Sequence, residues 1–451
     1  MNEQLSLFSA PEYLKSEETA KKYSGKPRIN FPVRNQIEMV TSCIDDLISD
    51  DHKVRFVWNY VQKLDMTGFL HKIKSVEGNA GRSAIDPHLL LALWVYATIE
   101  GIGSGRVIER YCNEHNAFKW LCGTVSVNYH TITDFRSENK ELLDDLLTQS
   151  VAVFLDQGII DLERIAQDGI RVRANAGKSS FRRQETLEDH YQLAQEFVKQ
   201  LIEEQDAEPK TIMDRKKAAQ LRLAKQKEAS LKEALEQLKA LQKGKERNRE
   251  RVSKEQVEKK KKEVRASPTD PQARKMKMAN SGFSPAYNAQ LATDTKTHVI
   301  VGVSVTNAGV DIGQMSAMYQ QVQDRYAKWA LKVKAWLVDG GYNSAAEIEK
   351  MFKNDPNCTV YMPPINSENP ESYIPKKTDS DVIKEWRINM GTIEAKAVYK
   401  ERAATAECAN ANARNRGLQQ FAIRGLEKAT ASMLLFALTH NIVRAMSLLS
   451  Y

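Results

Sequence analysis

The stretch LERIAQDGIRVRANAG, residues 162–177, decides the fold, because apolar and polar residues start to alternate there. This period of two predicts a strand with one buried face. Asp168 and Gly169 lie in its middle. Before it, from about residue 36 to residue 155, the pattern is helical, and the clearest helix follows Asp86-Pro87. The chain therefore changes from helices to a sheet at this stretch.

Further strands are predicted downstream, beyond a long charged segment. AYNAQLATDT and THVIVGVSVTN read as two strands joined by a tight turn at Thr295-Lys296, and KAWLVDGGY and CTVYMPP read as two more with helices between them. When the charged segment is left out, the predicted strands and helices from residue 162 onward follow the order βββαβαβα. This order predicts an α/β fold with a mixed sheet and flanking helices.

The length of 451 residues suggests about three domains at roughly 150 residues each. We predict four segments: an irregular arm over residues 1–35, a helical domain over 36–155, an α/β domain over 160–183 and 266–451, and an inserted basic helical hairpin over 184–265.

The inserted hairpin holds the positive charge of the chain. The whole sequence has 66 Lys and Arg against 58 Asp and Glu, whereas residues 211–265 have 19 against 9, so the remainder is slightly acidic. Leucines at 231, 235, 238 and 241 predict a coiled-coil seam, and Lys243-Gly244-Lys245 predicts the turn, with Val252 and Val257 on the return leg. Such a hairpin is either a solvated scaffold or an arm that lies along DNA or a second subunit, and phosphate contacts would make its affinity fall with salt.

Several classes of protein are disfavoured. The five cysteines are scattered without a Cys-x-x-Cys pair, which argues against a disulfide framework and a zinc ribbon. The N-terminal region is polar, and no run of about 18 apolar residues occurs, so we expect a soluble, cytoplasmic protein without a membrane partner. Gly101, Gly103 and Gly105 follow a helix and predict a turn between helices rather than a phosphate loop.

Two acidic residues lie in or at the end of predicted strands, where a site could form. Asp168 lies in the first strand and Asp339 ends the fourth, and these strands are neighbours in such a sheet. Carboxylates suit hard divalent cations, and two cations about 3.5–4 Å apart support phosphodiester cleavage or transfer. The alternative is structural, because Asp-Gly pairs also form turns and helical Glu is usually solvated.

Four segments carry a family resemblance: DGIRVRANAG, SPTDPQARKMKMANSGFSPAYNAQLATDT, WLVDGGY and YKERAATAECANANARNRG. They resemble, in order, the catalytic segments of DDE transposases from bacterial insertion sequences. GRSAIDPHLLLALWVYATIEG and SVNYHTITDFR resemble the N-terminal domain of those enzymes. The resemblance implies an RNase H-like catalytic core, an N-terminal all-α DNA-binding domain, and an endonuclease that performs DNA transposition and recombination.

The resemblance also implies which residues hold the metal. The family's Asp-Asp-Glu triad binds two Mg²⁺ ions, for which Mn²⁺ can substitute, and its motifs fall on Asp168, Asp339 and Glu407. Glu401 and Glu394 remain alternatives for the third ligand.

The same helix carries residues that the resemblance assigns to the DNA backbone: Tyr399, Arg402 and Arg414. The family usually has Lys at the last of these positions, and Arg414 can neutralise a phosphate as a bidentate fork.

The implied partners are double-stranded DNA, as terminal inverted repeats and as target, and further copies of the chain in a homodimer or higher oligomer. In the helical domain, Asn128, His130, Thr131 and Arg136 are either DNA contacts or parts of an ordinary packed helix. Two other functions stay open: a catalytically silent DNA-binding protein descended from a transposase, and a coiled-coil scaffold.

Overall fold

Helices occupy the chain up to the stretch that begins the sheet. The computed structural model describes residues 43–76, 83–203, 212–247, 263–279, 282–329 and 332–448, together with positions 32, 34, 35 and 37, so the arm predicted over residues 1–35 lies almost wholly outside the described residues. The first helices are α1 (Lys53–Val61), α2 (Thr67–Leu70), α3 (Pro87–Ile99), α4 (Gly105–Glu114), α5 (Asn116–Cys122), α6 (Tyr129–Ser137) and α7 (Lys140–Asp156).

Helix α3 lies at the centre of these helices. Asp86 caps it by accepting the His88 backbone N–H at 2.9 Å, and Pro87 occupies the first turn. Every residue from Leu89 to Ala97 is buried, so the helix has no solvent face. The glycine turn at Gly101 and Gly103 then leads into α4, as expected for a turn between helices.

The strands form one mixed sheet. They are β1 (Arg164–Arg173), β2 (Arg274–Lys277), β3 (Phe283–Asp294), β4 (Ile300–Thr306), β5 (Ala335–Leu337) and β6 (Thr359–Tyr361). The order is β2-β3-β1-β5-β6, and β4 pairs with β3 beside β2. β1 is antiparallel to β3 and parallel to β5, and β6 is parallel to β5. The predicted α/β class, with a mixed sheet and flanking helices, is confirmed.

Two helices lie between the later strands, namely α10 (Met315–Arg325) between β4 and β5 and α11 (Ala345–Asn354) between β5 and β6. The helices α12 (Asp381–Gly391), α13 (Ile393–Asn415) and α14 (Leu426–Leu448) follow the last strand. Helix α14 is long and apolar enough to cross a membrane, but 72% of its apolar window is buried inside the fold, as in the core helix of a soluble protein. It packs against α7, α3 and β4. One hydrophobic core therefore runs from Trp94 in α3 to Phe436 in α14.

The inserted segment contains two packed helices, α8 (Gln184–Glu203) and α9 (Ile212–Arg247). Leu187 of α8 and Leu231 and Leu238 of α9 are buried in a hydrophobic cluster separate from the main core. The predicted turn at residues 243–245 is wrong, because these residues continue α9. One helical glycine costs about 1 kcal/mol relative to alanine, which a 36-residue helix tolerates. Val252 and Val257, predicted on a return leg, lie outside the described residues.

The base of the inserted segment is closed. Arg182 and Ala266 exchange two backbone hydrogen bonds, of 2.9 and 3.1 Å, so the chain leaves and re-enters the rest of the fold at one place. Gln272 adds a side-chain hydrogen bond to Glu233 of α9 at 2.8 Å.

Because the inserted helices have their own hydrophobic cluster and a closed base, we predict that residues 184–264 can be replaced by a short Gly/Ser linker without unfolding the sheet. Thermal unfolding followed by circular dichroism should stay cooperative, with a midpoint within about 5 °C of the full chain. Removal of residues 426–448, which complete the main core, is the contrasting control and should abolish cooperative unfolding. Loss of cooperativity in the linker variant would show that the insert is part of the main folding unit.

Candidate functional site

The pairing of β1 with β5 brings two aspartates to one edge of the sheet. The last parallel pair is Ala166 with Leu337, and Asp168 and Asp339 each lie two residues further along their strands. Neighbouring strands are about 4.8 Å apart, so the two carboxylates leave the sheet side by side. Only 22% of the Asp168 side chain is exposed, and Asp339 is partly buried.

Asp339 also shapes the turn that follows β5. Its Oδ1 accepts the Gly341 backbone N–H at 2.8 Å and caps the short helical turn Gly340–Tyr342. Tyr342 is fully buried, and its hydroxyl donates to Gln290 of β3. The structural interpretation of Asp-Gly-Gly as a turn is thus correct, and the same turn holds Asp339 beside Asp168.

Helix α13 packs across β1 and contacts Asp168 directly. Asn410 Nδ2 donates to Asp168 Oδ2 at 2.8 Å, and Arg402 Nη1 lies 3.7 Å from Oδ1. The Arg402 guanidinium lies 5.9 Å from the centre of the Tyr399 ring. Of the three residues that the family resemblance assigned to the DNA backbone, Arg402 therefore lies beside Asp168, and Tyr399 lies beside Arg402. Arg414, the third, is exposed near the end of α13.

The three candidates for the third acidic residue differ in their surroundings. Glu407 is exposed on α13, three residues before Asn410. Glu401 forms an ion pair with Arg164 at 2.6 Å, at the start of β1, and so lies away from Asp168. Glu394 is exposed in the first turn of α13. Among the described residues no group of three His, Cys, Asp or Glu lies together as a metal site, so the structure does not bring Glu407 onto the two aspartates.

The surroundings of Asp168 disfavour the ionised form of its carboxyl group. Burial raises the pKa of Asp168 to about 6; Arg402 lowers it, whereas the carboxylates of Asp339 and Asp311 raise it further. A carboxylate that is costly to ionise and has like charges nearby is typical of a functional site.

Asp311, which precedes α10, is the site residue that sequence reasoning missed. Its Oδ1 accepts hydrogen bonds from Asn288 Nδ2 at 2.7 Å and Gln290 Nε2 at 2.8 Å, and its Oδ2 lies 3.3 Å from Arg171. Gln290 in turn accepts from Gln167 at 2.9 Å. Asp311 therefore links β1, β3 and the loop before α10 on the face of the sheet opposite to α13.

Gly169 makes this arrangement possible. A Cβ there would lie 2.6 Å from Asp311 Oδ1 and from Gln290 Nε2, which is closer than real contacts allow. The Asp-Gly pair in β1 thus presents a carboxylate to one face and space for a second carboxylate to the other, since successive residues of a strand alternate. The signal available in the sequence was Asn288 and Gln290, two amides on the same face of a largely buried strand.

The donor set at this edge fits a hard divalent cation. Such ions take carboxylate and amide oxygens as ligands. Asp168 and Asp339 supply carboxylates, and the buried Asn410 Oδ1, on the residue that contacts Asp168, has no hydrogen-bond partner.

The helical domain presents one of the predicted DNA contacts and buries another. Asn128 caps α6 by accepting the Thr131 N–H at 3.0 Å, and His130 is exposed with its ring 4.0 Å from that of Tyr129. Arg136, in contrast, is 7% exposed and lies over Trp94 at 4.1 Å. Burial lowers the pKa of Arg136 to about 10. The packing of this guanidinium inside the helices favours the alternative of an ordinary packed helix for Arg136, and its role as a DNA contact stays a prediction.

Two protein families match parts of the chain. A family described as a transposase domain (DUF772) matches residues 42–138, and one described as a transposase DDE domain matches residues 353–446. The second match includes Tyr399, Arg402, Glu407 and Arg414 but neither Asp168 nor Asp339. Among the curated proteins and the solved structures, none matches the chain significantly.

Replacing Asp168 and Asp311 by asparagine should change the free energy of unfolding in opposite directions. Asp168 has a folded-state pKa above its unfolded value of about 3.9, so stability falls as pH rises from about 4 to about 6, and the penalty persists above that. We predict that Asp168→Asn raises the free energy of unfolding by about 1–2 kcal/mol at pH 7.5 and leaves it unchanged below pH 4. Asp311→Asn should lower it by about 1–3 kcal/mol, because Arg171 loses its partner.

Urea unfolding in EDTA at pH 4 and pH 7.5 measures both effects. Asp381→Asn is the matched control, since this aspartate is exposed on α12 and pairs only with Lys384. A loss of stability at pH 7.5 in Asp168→Asn would contradict the proposed cost of ionising Asp168.

Proposed function

The two matched segments identify the chain as a DDE transposase of an insertion sequence, and on that premise we propose that it cleaves and transfers DNA strands at the ends of its element. The observation that carries the proposal is the pair of half-buried aspartates, Asp168 and Asp339, at equivalent positions on neighbouring parallel strands. DNA is the implied partner of both matched domains.

We propose that the catalytic domain is RNase H-like and comprises residues 160–183 and 266–451. Its support is the central strand β1, with an antiparallel neighbour on one edge and a parallel one on the other, and α13 packed across it. The inserted residues 184–265 would then be a basic arm outside the catalytic sheet.

In the proposed mechanism, Asp168 and Asp339 hold Mg²⁺, with Glu407 as the third acidic residue. Bound Mg²⁺ would supply an activated water and stabilise the leaving oxygen of a phosphodiester. Arg402 favours the ionised form of Asp168, which a metal ligand requires, and Asn410 fixes the orientation of that carboxylate. The buried surroundings strengthen these electrostatic interactions.

The reaction has two proposed steps at the same site. Water attacks a phosphodiester at the element end, and the broken bond leaves a 3′-hydroxyl on the DNA. That hydroxyl then attacks a phosphodiester of the target, so that one P–O bond forms as another breaks and no covalent bond to the protein is needed. Arg414, exposed beyond Glu407 on α13, would hold the DNA backbone, and His130 on α6 would contact DNA from the helical domain.

We predict that Asp168→Asn, Asp339→Asn and Glu407→Gln each lower strand cleavage at least 100-fold, because each removes a proposed metal ligand. The substrate is an end-labelled duplex carrying the inverted repeats that flank the gene, and cleavage is measured on a denaturing gel with Mg²⁺ or Mn²⁺.

The controls separate the alternatives. Glu394 lies on the same helix as Glu407, so Glu394→Gln should keep wild-type cleavage if Glu407 is the third ligand. If Glu394→Gln loses cleavage and Glu407→Gln keeps it, Glu394 is the third ligand instead. Asp381→Asn should leave cleavage unchanged. DNA binding by the wild-type chain without metal-dependent cleavage would favour the catalytically silent DNA-binding protein instead.

A further inference from the structure

A small cavity lies where the helical part of the chain meets the end of α13. Its volume is about 50 Å³, and its lining includes Arg136 of α6, Arg416 after α13 and Ser432 of α14. The two parts are in close contact here. Gly417 has a φ of +83°, and a Cβ on it would lie 2.9 Å from the carbonyl oxygen of Gly101. The cavity is thus part of the junction between the two matched regions.

Three polar groups around this cavity lack partners. Arg136 Nε, Arg416 Nη1 and Ser432 Oγ are buried without a hydrogen-bond acceptor or donor. Arg136 donates through Nη1 to the Gly103 carbonyl at 3.1 Å, which leaves its Nε unsatisfied. Arg136 and Ser432 are each only 7% exposed. Buried donors without partners destabilise the folded state, so native proteins rarely keep several of them together.

Neither guanidinium group has an ionic partner in the described part of the chain, although Arg136 lies over the ring of Trp94. Across the residues that the structure describes, no carboxylate lies within salt-bridge distance of Arg136 or Arg416. Burial lowers the pKa of both guanidinium groups, because each loses its hydration. The buried Arg136 and the half-buried Arg416 line the same cavity, and an anion bound there would offset the desolvation of both guanidinium groups.

We infer that this cavity binds a phosphate-type oxyanion through Arg136, Arg416 and Ser432. Guanidinium groups and a hydroxyl are suitable donors for the oxygens of such an anion. Arg416 is half-buried, and the neighbouring Gly417 and Gln420 are exposed, so the cavity is reached from the surface on that side. The anion is either free phosphate or a phosphate of the DNA backbone.

The bound oxyanion would hold the two matched regions together. Arg136 belongs to the transposase domain match, and Arg416 and Ser432 belong to the DDE domain match. Arg416 follows directly on α13, the helix that contacts Asp168. The site does not depend on cleavage, so it can be tested whether or not the proposed catalytic function holds.

The test is equilibrium dialysis of the full chain with radiolabelled inorganic phosphate at constant ionic strength. We expect one phosphate per chain, and an affinity at least tenfold weaker in Arg416→Gln. Ser432→Ala, which keeps both charges and perturbs folding least, should weaken binding about threefold. Arg110→Gln is the matched control, because Arg110 is exposed on α4 and paired with Glu114; it should bind phosphate as the wild type does.

Adding DNA to the same dialysis experiment distinguishes the two sources of the anion. If a backbone phosphate occupies the cavity, a duplex carrying the element end displaces the labelled phosphate, and Arg416→Gln reduces the salt dependence of DNA binding by about one charge. If free phosphate occupies the cavity, the chain binds the labelled phosphate and the duplex at the same time. No phosphate binding by the wild type, or equal binding by wild type and folded Arg416→Gln, would overturn the inference.

Discussion

The pairing of β1 on both of its edges is the constraint on which the rest of the structure depends. The antiparallel neighbour β3 carries Asn288 and Gln290, and the parallel neighbour β5 leads to Asp339. Because a shift of one residue in either pairing would turn every side chain of β1 to the opposite face, the two registers together fix where Asp168 lies. The position of the site is therefore set by backbone pairing as well as by side-chain contacts.

The two faces of β1 are stabilised by different physical means. On one face, α13 covers the strand with small residues, including the buried Ala406 and Ala409, which allow close approach. On the other, Gln167, Gln290 and Asp311 form a connected polar network inside the protein. Such a network is stabilising only when its members are satisfied, and it is then stiffer than an apolar contact. The site thus has a closely packed helix on one side and a rigid hydrogen-bonded layer on the other.

Much of this arrangement could be predicted from patterns within short stretches. The alternation over residues 162–177 predicted β1, and the Asp86-Pro87 pair predicted the start of α3. The patterns failed where distant parts of the chain decide the outcome. Residues 243–245 continue α9, and the leucine stripe of α9 packs on α8, which precedes it in the chain. For Arg136 the sequence left open a DNA contact or an ordinary packed helix, and its packing on Trp94 favours the second. Asp311 was missed because its partners come from strands remote in sequence. The metal assignment of Glu407 remains a prediction.

The shared core of α3, α7 and α14 has a consequence for the time course of folding. Helices α3 and α7 are made before α14, which covers the apolar face that they present. Residues 157–425 lie between α7 and α14, and at ~5–20 residues per second they take on the order of 15–50 s to synthesise. During that interval the nascent helices expose apolar surface on the ribosome. The main core therefore cannot close until α14 has been synthesised, and until then the exposed apolar surface of α3 and α7 favours aggregation.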